Sequence, residues 1–282
     1  MLENRSKLIF GSCVVIAGVI FFQMGMYALH VLLGWGLDYN VIQFCTSLVR
    51  KLGLASVGYV LDVLVFYTIF LSVWITAKQL FLSHKAYQRI TVYRHEQLTI
   101  EINQQYAAGK HHITVMCHPE PIAFTMGFLK PKIILSTGLL QLLDKTELDA
   151  VILHELYHQK HGDPVKTFVL HLLATVMWYL PIINCLMQKY KMIRELLADQ
   201  YAVNEQGTPT HVGSALLKLL KKGQATPLPF SHVSFADTSI NYRIKQLLDP
   251  QTNIPLTFPL KQTVISLQML LLLCGSFAIV LS

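Results

Sequence analysis

The sequence predicts a mainly α-helical integral membrane protein with a small β-sheet, and three observations carry that reading. Apolar residues make up 53% of the 282-residue chain against 14% charged, far from the balance of a water-soluble domain. Apolar runs approaching or exceeding the roughly 20 residues that cross hydrocarbon lie toward both ends. Between them, around residues 112–135, short β-branched runs alternate with proline and glycine, the punctuation of small strands. A chain of this length can bury a core as one large domain or two small ones.

Residues 8–33 contain no Asp, Glu, Lys or Arg and form the first expected span. Arg5 and Lys7 would suit a signal peptide, but the apolar run is too long and no small-residue cleavage pattern follows promptly. A second span over about 53–77 ends at Lys78, Lys85, Arg89 and Arg94, which assigns its end to the cytoplasm and the 37–52 loop to the outside. Asp62 within it reads either as a functional group or as a polar residue packed toward other helices. From 78 to about 108 a mixed-polar helix is expected to continue that span. His112–Cys117, Ile122–Thr125 and Lys132–Leu135 are the expected strands. An open edge of such a sheet can hold an extended peptide by backbone hydrogen bonds, although a purely structural hairpin has the same sequence pattern.

The formal charge of +7 would suit nucleic acid, but its distribution argues otherwise. Only Arg5, Lys7, Arg50 and Lys51 precede residue 78, and every other basic residue falls between Lys78 and Lys261. That is the positive-inside pattern of cytoplasmic segments, and no direct nucleic-acid binding is expected. The five cysteines show no C-x-x-C spacing, so neither a disulfide framework nor a cysteine metal site is expected.

The next element carries the chemistry. Asp144 with Glu147 resembles a capping box, and a helix should run from about 145 to Gly162, whose missing Cβ suits a C-terminal cap. Leu148, Val151, Ile152 and Leu156 make one apolar side, while His154 and His158, four residues apart, project together from another. His154-Glu155-Leu156-Tyr157-His158 is the H-E-x-x-H pattern of a zinc helix. His161 extends the face, but seven residues of helix carry it about 10 Å from His154, too far to share one ion.

Residues 165–187 look like a further span. If the best downstream carboxylate, Glu195, is to meet His154 and His158, both ends of this stretch lie on one side of the membrane. A helix broken near Pro181, buried in the protein or dipping into the interface, is therefore expected. Met192–Val203 reads as a helix with Glu195 and Asp199 on one face. Helices are expected around 211–222 and 239–248, separated by a Pro/Gly-containing loop and followed by a proline-rich approach to a last span near 264–281.

A catalytic zinc uses three protein ligands and leaves one position for water. His154, His158 and Glu195 would be the metal ligands, and Glu155 the general base. Asp199 is spaced to fix the tautomer of a ligand histidine, and Asp163 could cap or orient the helix end. Arg243 is a candidate for oxyanion or substrate contact, although an arginine on such a helix is commonly a salt-bridge partner. An isolated H-E-x-x-H is more often accidental than catalytic. The acidic pair on an otherwise apolar helix strengthens it, because buried carboxylates need a partner.

Phe124–Asp163, Trp178-Tyr179-Leu180-Pro181 and Arg194-Glu195-Leu196-Leu197-Ala198-Asp199 resemble the membrane metallopeptidase half of the β-lactam sensor-transducer proteins. More distantly they are similar to HtpX and the CAAX prenyl endopeptidases, all zinc peptidases of the gluzincin type. The resemblance implies Glu195 as third ligand, Glu155 as base, Asp199 behind the ligands, and residues 165–187 within a cytoplasmic protease domain. Relatives often carry Cys where this chain has Ala198, and the extracellular penicillin-binding sensor domain is not expected here.

The expected organisation is two spans in 1–77, a cytoplasmic zinc metalloprotease domain in 78–260 and a last span in 261–282. The expected function is that of a multi-pass cell-membrane endopeptidase binding one zinc ion, with its N-terminus and active site in the cytoplasm, acting in regulated proteolysis or in membrane-protein turnover. Its partners would be membrane lipid and a protein or peptide substrate, a cytoplasmic repressor being the one the resemblance suggests; a homo-oligomer is compatible with this. The competing reading is a catalytically silent signal transducer or scaffold that retains the zinc fold. A small transporter using Asp62 is a third.

Overall fold

The computed structural model describes residues 2–33, 55–106, 113–222, 236–249 and 259–274. The expected 37–52 loop, the Pro/Gly-containing loop at 223–235, the proline-rich 250–258 stretch and the end of the last span at 275–282 lie outside the described residues. The chain divides into two compact units. One comprises Met1–Ser6, Phe81–Phe168 and Tyr190–Pro255; the other comprises Lys7–Leu80, Val169–Lys189 and Leu256–Ser282.

The second unit is helical. Helix α1 covers Leu2–Leu33 and α2 covers Ala55–Val92. Within them Leu2–Leu29 and Val63–Val92 are long and apolar enough to cross a membrane. On α1 the buried residues Cys13, Ala17, Ile20, Met24 and Tyr27 recur every three or four positions, which aligns them along one stripe of a 3.6-residue helix. Val15 and Phe22 on α1, and Phe70 and Val73 on α2, stay more than half exposed. Asp62 lies within α2, but its side chain is outside the described residues.

The first unit holds a three-stranded sheet of β1 (Ile113–Met116), β2 (Ala123–Met126) and β3 (Lys132–Ser136), ordered β1-β3-β2. β3 is central, parallel to β1 and antiparallel to β2. Its Ile133, Ile134 and Leu135 are all buried, as a strand covered on both faces requires. β2 has no strand partner on its other edge among the described residues. Helices α3 (Glu96–Tyr106), α4 (Thr137–Leu142), α5 (Lys145–His161) and α8 (Thr210–Lys222) contribute to the same core through Ile102, Leu139, Leu148, Val151, Ile152, Leu156 and Ala215. Gly138 is required by close approach, because a Cβ there would stand 2.1 Å from the carbonyl oxygen of Pro119.

Two helix expectations change. The helix expected from 78 to about 108 is two, since α2 ends at Val92 and α3 starts at Glu96. Between them Arg94 bridges to Met116, and the amides of His95 and Cys117 bond across to Val115 and Tyr93. The chain therefore leaves the helix to pair with the edge of β1. The second change concerns the stretch before Glu195. Helix α6 runs Asp163–Val176 and α7 runs Pro181–Gln206, with the break at residues 177–180. Pro181 starts α7 at the first helical position, where its missing N–H costs nothing. After it no Gly or Pro occurs up to Gln206, so Glu195 and Asp199 sit inside one 26-residue helix, not in the short one expected from Met192 to Val203. At 1.5 Å per residue the 14-residue α6 is about 21 Å long, short of hydrocarbon thickness. Helix α9 (Ala236–Leu248) carries Arg243, and α10 (Leu260–Cys274) is the described part of the last apolar run.

Candidate metal centre

Helix α5 is tied at both ends. At its start the Asp144 carboxylate accepts from the Glu147 amide at 2.9 Å, and the Glu147 carboxylate accepts from the Asp144 amide at 3.0 Å. That completes the capping box. At its end Gly162 adopts φ 61° and ψ 36°, a left-handed cap. This turn starts α6 at once with Asp163, which looks back at the last turn of α5.

The two histidines are each oriented by a carboxylate. His154 Nδ1 lies 2.8 Å from Asp199 Oδ1, and His158 Nδ1 lies 2.8 Å from Asp163 Oδ2. An ionised carboxylate only accepts, so each Nδ1 carries the hydrogen, and each ring in its neutral form has its lone pair on Nε2. Those two Nε2 atoms stand 3.1 Å apart. Glu195 completes the triangle, with Oε2 3.5 Å from His154 Nε2 and Oε1 3.5 Å from His158 Nε2. Donors on a tetrahedral ion with bonds of about 2.05 Å stand about 3.3 Å apart. The triangle therefore fits a zinc-sized cation with a fourth position left over, and its two imidazoles and one carboxylate are a zinc-like donor set. The side chains are 12%, 13% and 34% exposed for His154, His158 and Glu195, so the cluster is most open beside Glu195.

Electrostatics point the same way. Burial alone would lower the His154 pKa, but the hydrogen bonds and charges of Asp199 and Glu195 outweigh it and raise it to about 10. Burial opposes ionisation of Glu195 and Asp199 as well. The imidazoles and Arg243 nevertheless hold Glu195 well below the carboxylate range and Asp199 below its ordinary value. The cluster stabilises positive charge at its centre, whether a proton or a metal cation brings it.

Glu155 is 8% exposed, and its Oε2 accepts from the Thr125 hydroxyl at 2.8 Å. Asp163 faces the last turn of α5, where its Oδ2 meets His158 Nδ1. The Arg243 guanidinium is engaged by carboxylates: it donates to both oxygens of Asp199, at 2.6 and 2.7 Å, and to Glu195 Oε2 at 3.1 Å. Its side chain is 16% exposed. These bonds make it a salt-bridge partner of the carboxylates behind the histidines. His161 turns away, its Nδ1 2.8 Å from the Tyr157 carbonyl oxygen.

Sequence reasoning missed two residues. Arg194 is 4% exposed; its Nε lies 2.8 Å from Asp163 Oδ1, and its guanidinium lies over the Tyr157 ring at 4.6 Å. A buried arginine needs a carboxylate, so its position beside Glu195, flanked by Met192, Ile193, Leu196 and Leu197, was a usable signal. Thr125 offered none, because its contact with Glu155 spans 30 residues.

The chain matches the family described as BlaR1 peptidase M56 over residues 43–247. It is 30% identical over 136 residues to the regulatory protein BlaR1 of Bacillus licheniformis, covering 47% of this chain and 22% of that protein. The chain thus spans about a fifth of the length of that curated relative.

Proposed function

The chain belongs to the BlaR1 peptidase M56 family, and from that premise we propose that it is a membrane-anchored, zinc-dependent endopeptidase with its active site facing the cytoplasm. The observation that carries the reading is the donor triangle of His154, His158 and Glu195 with the Glu155 carboxylate on the same helix. Bound there, zinc supplies a Lewis acid that polarises a carbonyl and brings the pKa of water near 7.

The protein's own groups do the rest. Asp199 and Asp163 hold the two imidazoles in the tautomer that frees Nε2. Arg243 balances the charge of Asp199 and Glu195, keeping both ionised. Glu155 takes a proton from water as its oxygen bonds the peptide carbon, then delivers that proton to the amine nitrogen as the C–N bond breaks. The edge of β2 that has no strand partner among the described residues is suited to hold the substrate as an added strand.

The proposed organisation keeps two spans in 1–77, the protease domain in 78–260 with residues 165–187 as a buried or interface-dipping piece, and a last span in 261–282. Basic residues concentrated between Lys78 and Lys261 support a cytoplasmic domain. The name of the regulatory relative supports a regulatory role, and the substrate proposed is a cytoplasmic protein such as a transcriptional repressor, with membrane-protein turnover as the other use.

Full-length chain purified in detergent should hold about one zinc per chain. Glu155→Ala should keep that zinc and lose cleavage of an unfolded model substrate by roughly 10²–10⁴-fold. Wild-type activity in the variant would sink the assignment. A zinc-loaded wild type that cleaves nothing would favour the scaffold.

A further inference from the structure

Thr125 sits on the edge strand β2, opposite Ile133 of β3, and its hydroxyl reaches across to α5. The oxygen lies 2.8 Å from Glu155 Oε2 and 3.1 Å from the Glu155 carbonyl oxygen. A hydroxyl has one proton to give. The carbonyl belongs to a helix in which the amide four residues on already serves it, whereas a carboxylate is the stronger acceptor. The proton therefore goes to Oε2, the nearer of the two.

The peptidase reading makes the Glu155 carboxylate the group that handles the water proton, and the inference rests on that reading. A glutamate has three rotatable side-chain bonds, and a misplacement of about 1 Å at a reacting centre costs roughly 10²-fold in rate. We propose that Thr125 is a positioning residue: its hydroxyl sets the rotamer of the general base and ties it to the strand along which the substrate lies. A peptide paired with the outer edge of β2 and the carboxylate that works on it then share one residue as their reference. The base is thereby held in register with the scissile bond by the sheet as well as by its own helix.

The test compares Thr125→Val, which keeps the β-branched shape without the hydroxyl, with Thr125→Ser, which restores the hydroxyl. In zinc-loaded full-length protein, Thr125→Val should lower kcat roughly tenfold with KM, zinc content and melting temperature unchanged, and Thr125→Ser should recover most of it. Infrared difference spectra, with Glu155→Gln used to assign the band, should show the Glu155 carboxylate stretch shifted in Thr125→Val and returned in Thr125→Ser. A kcat within about twofold of wild type or an unshifted band overturns the proposal. Loss of zinc or of melting temperature in Thr125→Val also overturns it, by making Thr125 structural. If zinc-loaded wild type shows no turnover, the peptidase reading fails instead, and the infrared comparison still decides whether Thr125 sets the carboxylate.

Discussion

The two ends of helix α5 carry buried carboxylate networks of opposite kinds. At the start, both Glu147 oxygens are paired: they accept from the Asp144 amide at 3.0 Å, the Ser214 hydroxyl at 2.6 Å and Lys218 Nζ at 2.6 Å. Toward the end, Arg194 donates to Asp163 and Arg243 to Asp199 behind the histidines, while three donor atoms of His154, His158 and Glu195 gather within 4.8 Å of one another. With both rings neutral, Nε2 lone pairs 3.1 Å apart would repel, so the site calls for positive charge between them, from a proton or a cation. A closed network stabilises a fold, whereas a convergent set of donors needs a cation to complete it.

Removing a donor from the open network should have the largest effect. His158→Ala is expected to lower zinc affinity by more than roughly 100-fold, beyond the range for losing a carboxylate partner, and to abolish cleavage. Metal analysis beside an activity assay checks this, and a variant retaining full zinc would break the comparison.

Asp163→Ala belongs to both kinds of network. It should weaken zinc binding roughly 10–100-fold by releasing the His158 ring. It should also cost about 3–5 kcal/mol by stranding the buried Arg194 charge, which thermal melting of metal-free protein would register. An unchanged melting temperature would separate Arg194 from the fold's stability.

The closed network should respond in stability alone. Glu147→Ala is expected to cost about 2 kcal/mol through the lost cap and hydrogen bonds, with zinc content unchanged. Burial opposes ionisation of Glu147, but Lys218, Ser214 and the Asp144 amide together lower its pKa below the ordinary 4.5. A carboxylate with a depressed folded pKa stabilises above its unfolded pKa and loses that contribution as pH falls through the folded value. Wild type should therefore lose stability below about pH 4.5 more steeply than Glu147→Gln. Equal slopes in denaturation series across that range would remove Glu147 as the source.

Parts of this were legible because the signals are local. The capping box of Asp144 and Glu147, the Gly162 cap and the i, i+4 pair of His154 and His158 follow from helix geometry within one segment. The β-branched runs became strands within a residue or two of their expected limits. The break between α2 and α3 was not legible, because pairing with Met116 more than 20 residues away decides it.

The sequence by itself determined the mainly helical class, the apolar helices, the small sheet and a helix able to present two imidazoles side by side, since each rests on propensity or periodicity within a short window. Only the tertiary structure decided what surrounds those imidazoles. His154 meets Asp199, Arg243 meets Asp199 and Glu195, Arg194 meets Asp163, and Thr125 meets Glu155 across separations of 30 to 48 residues. Such pairs depend on how packed helices and strands are rotated about their own axes. That rotation is set by packing, of Val151, Ile152 and Leu156 with β3 and of Ala150 with Ala202, Val212 and Leu247, which no local rule encodes.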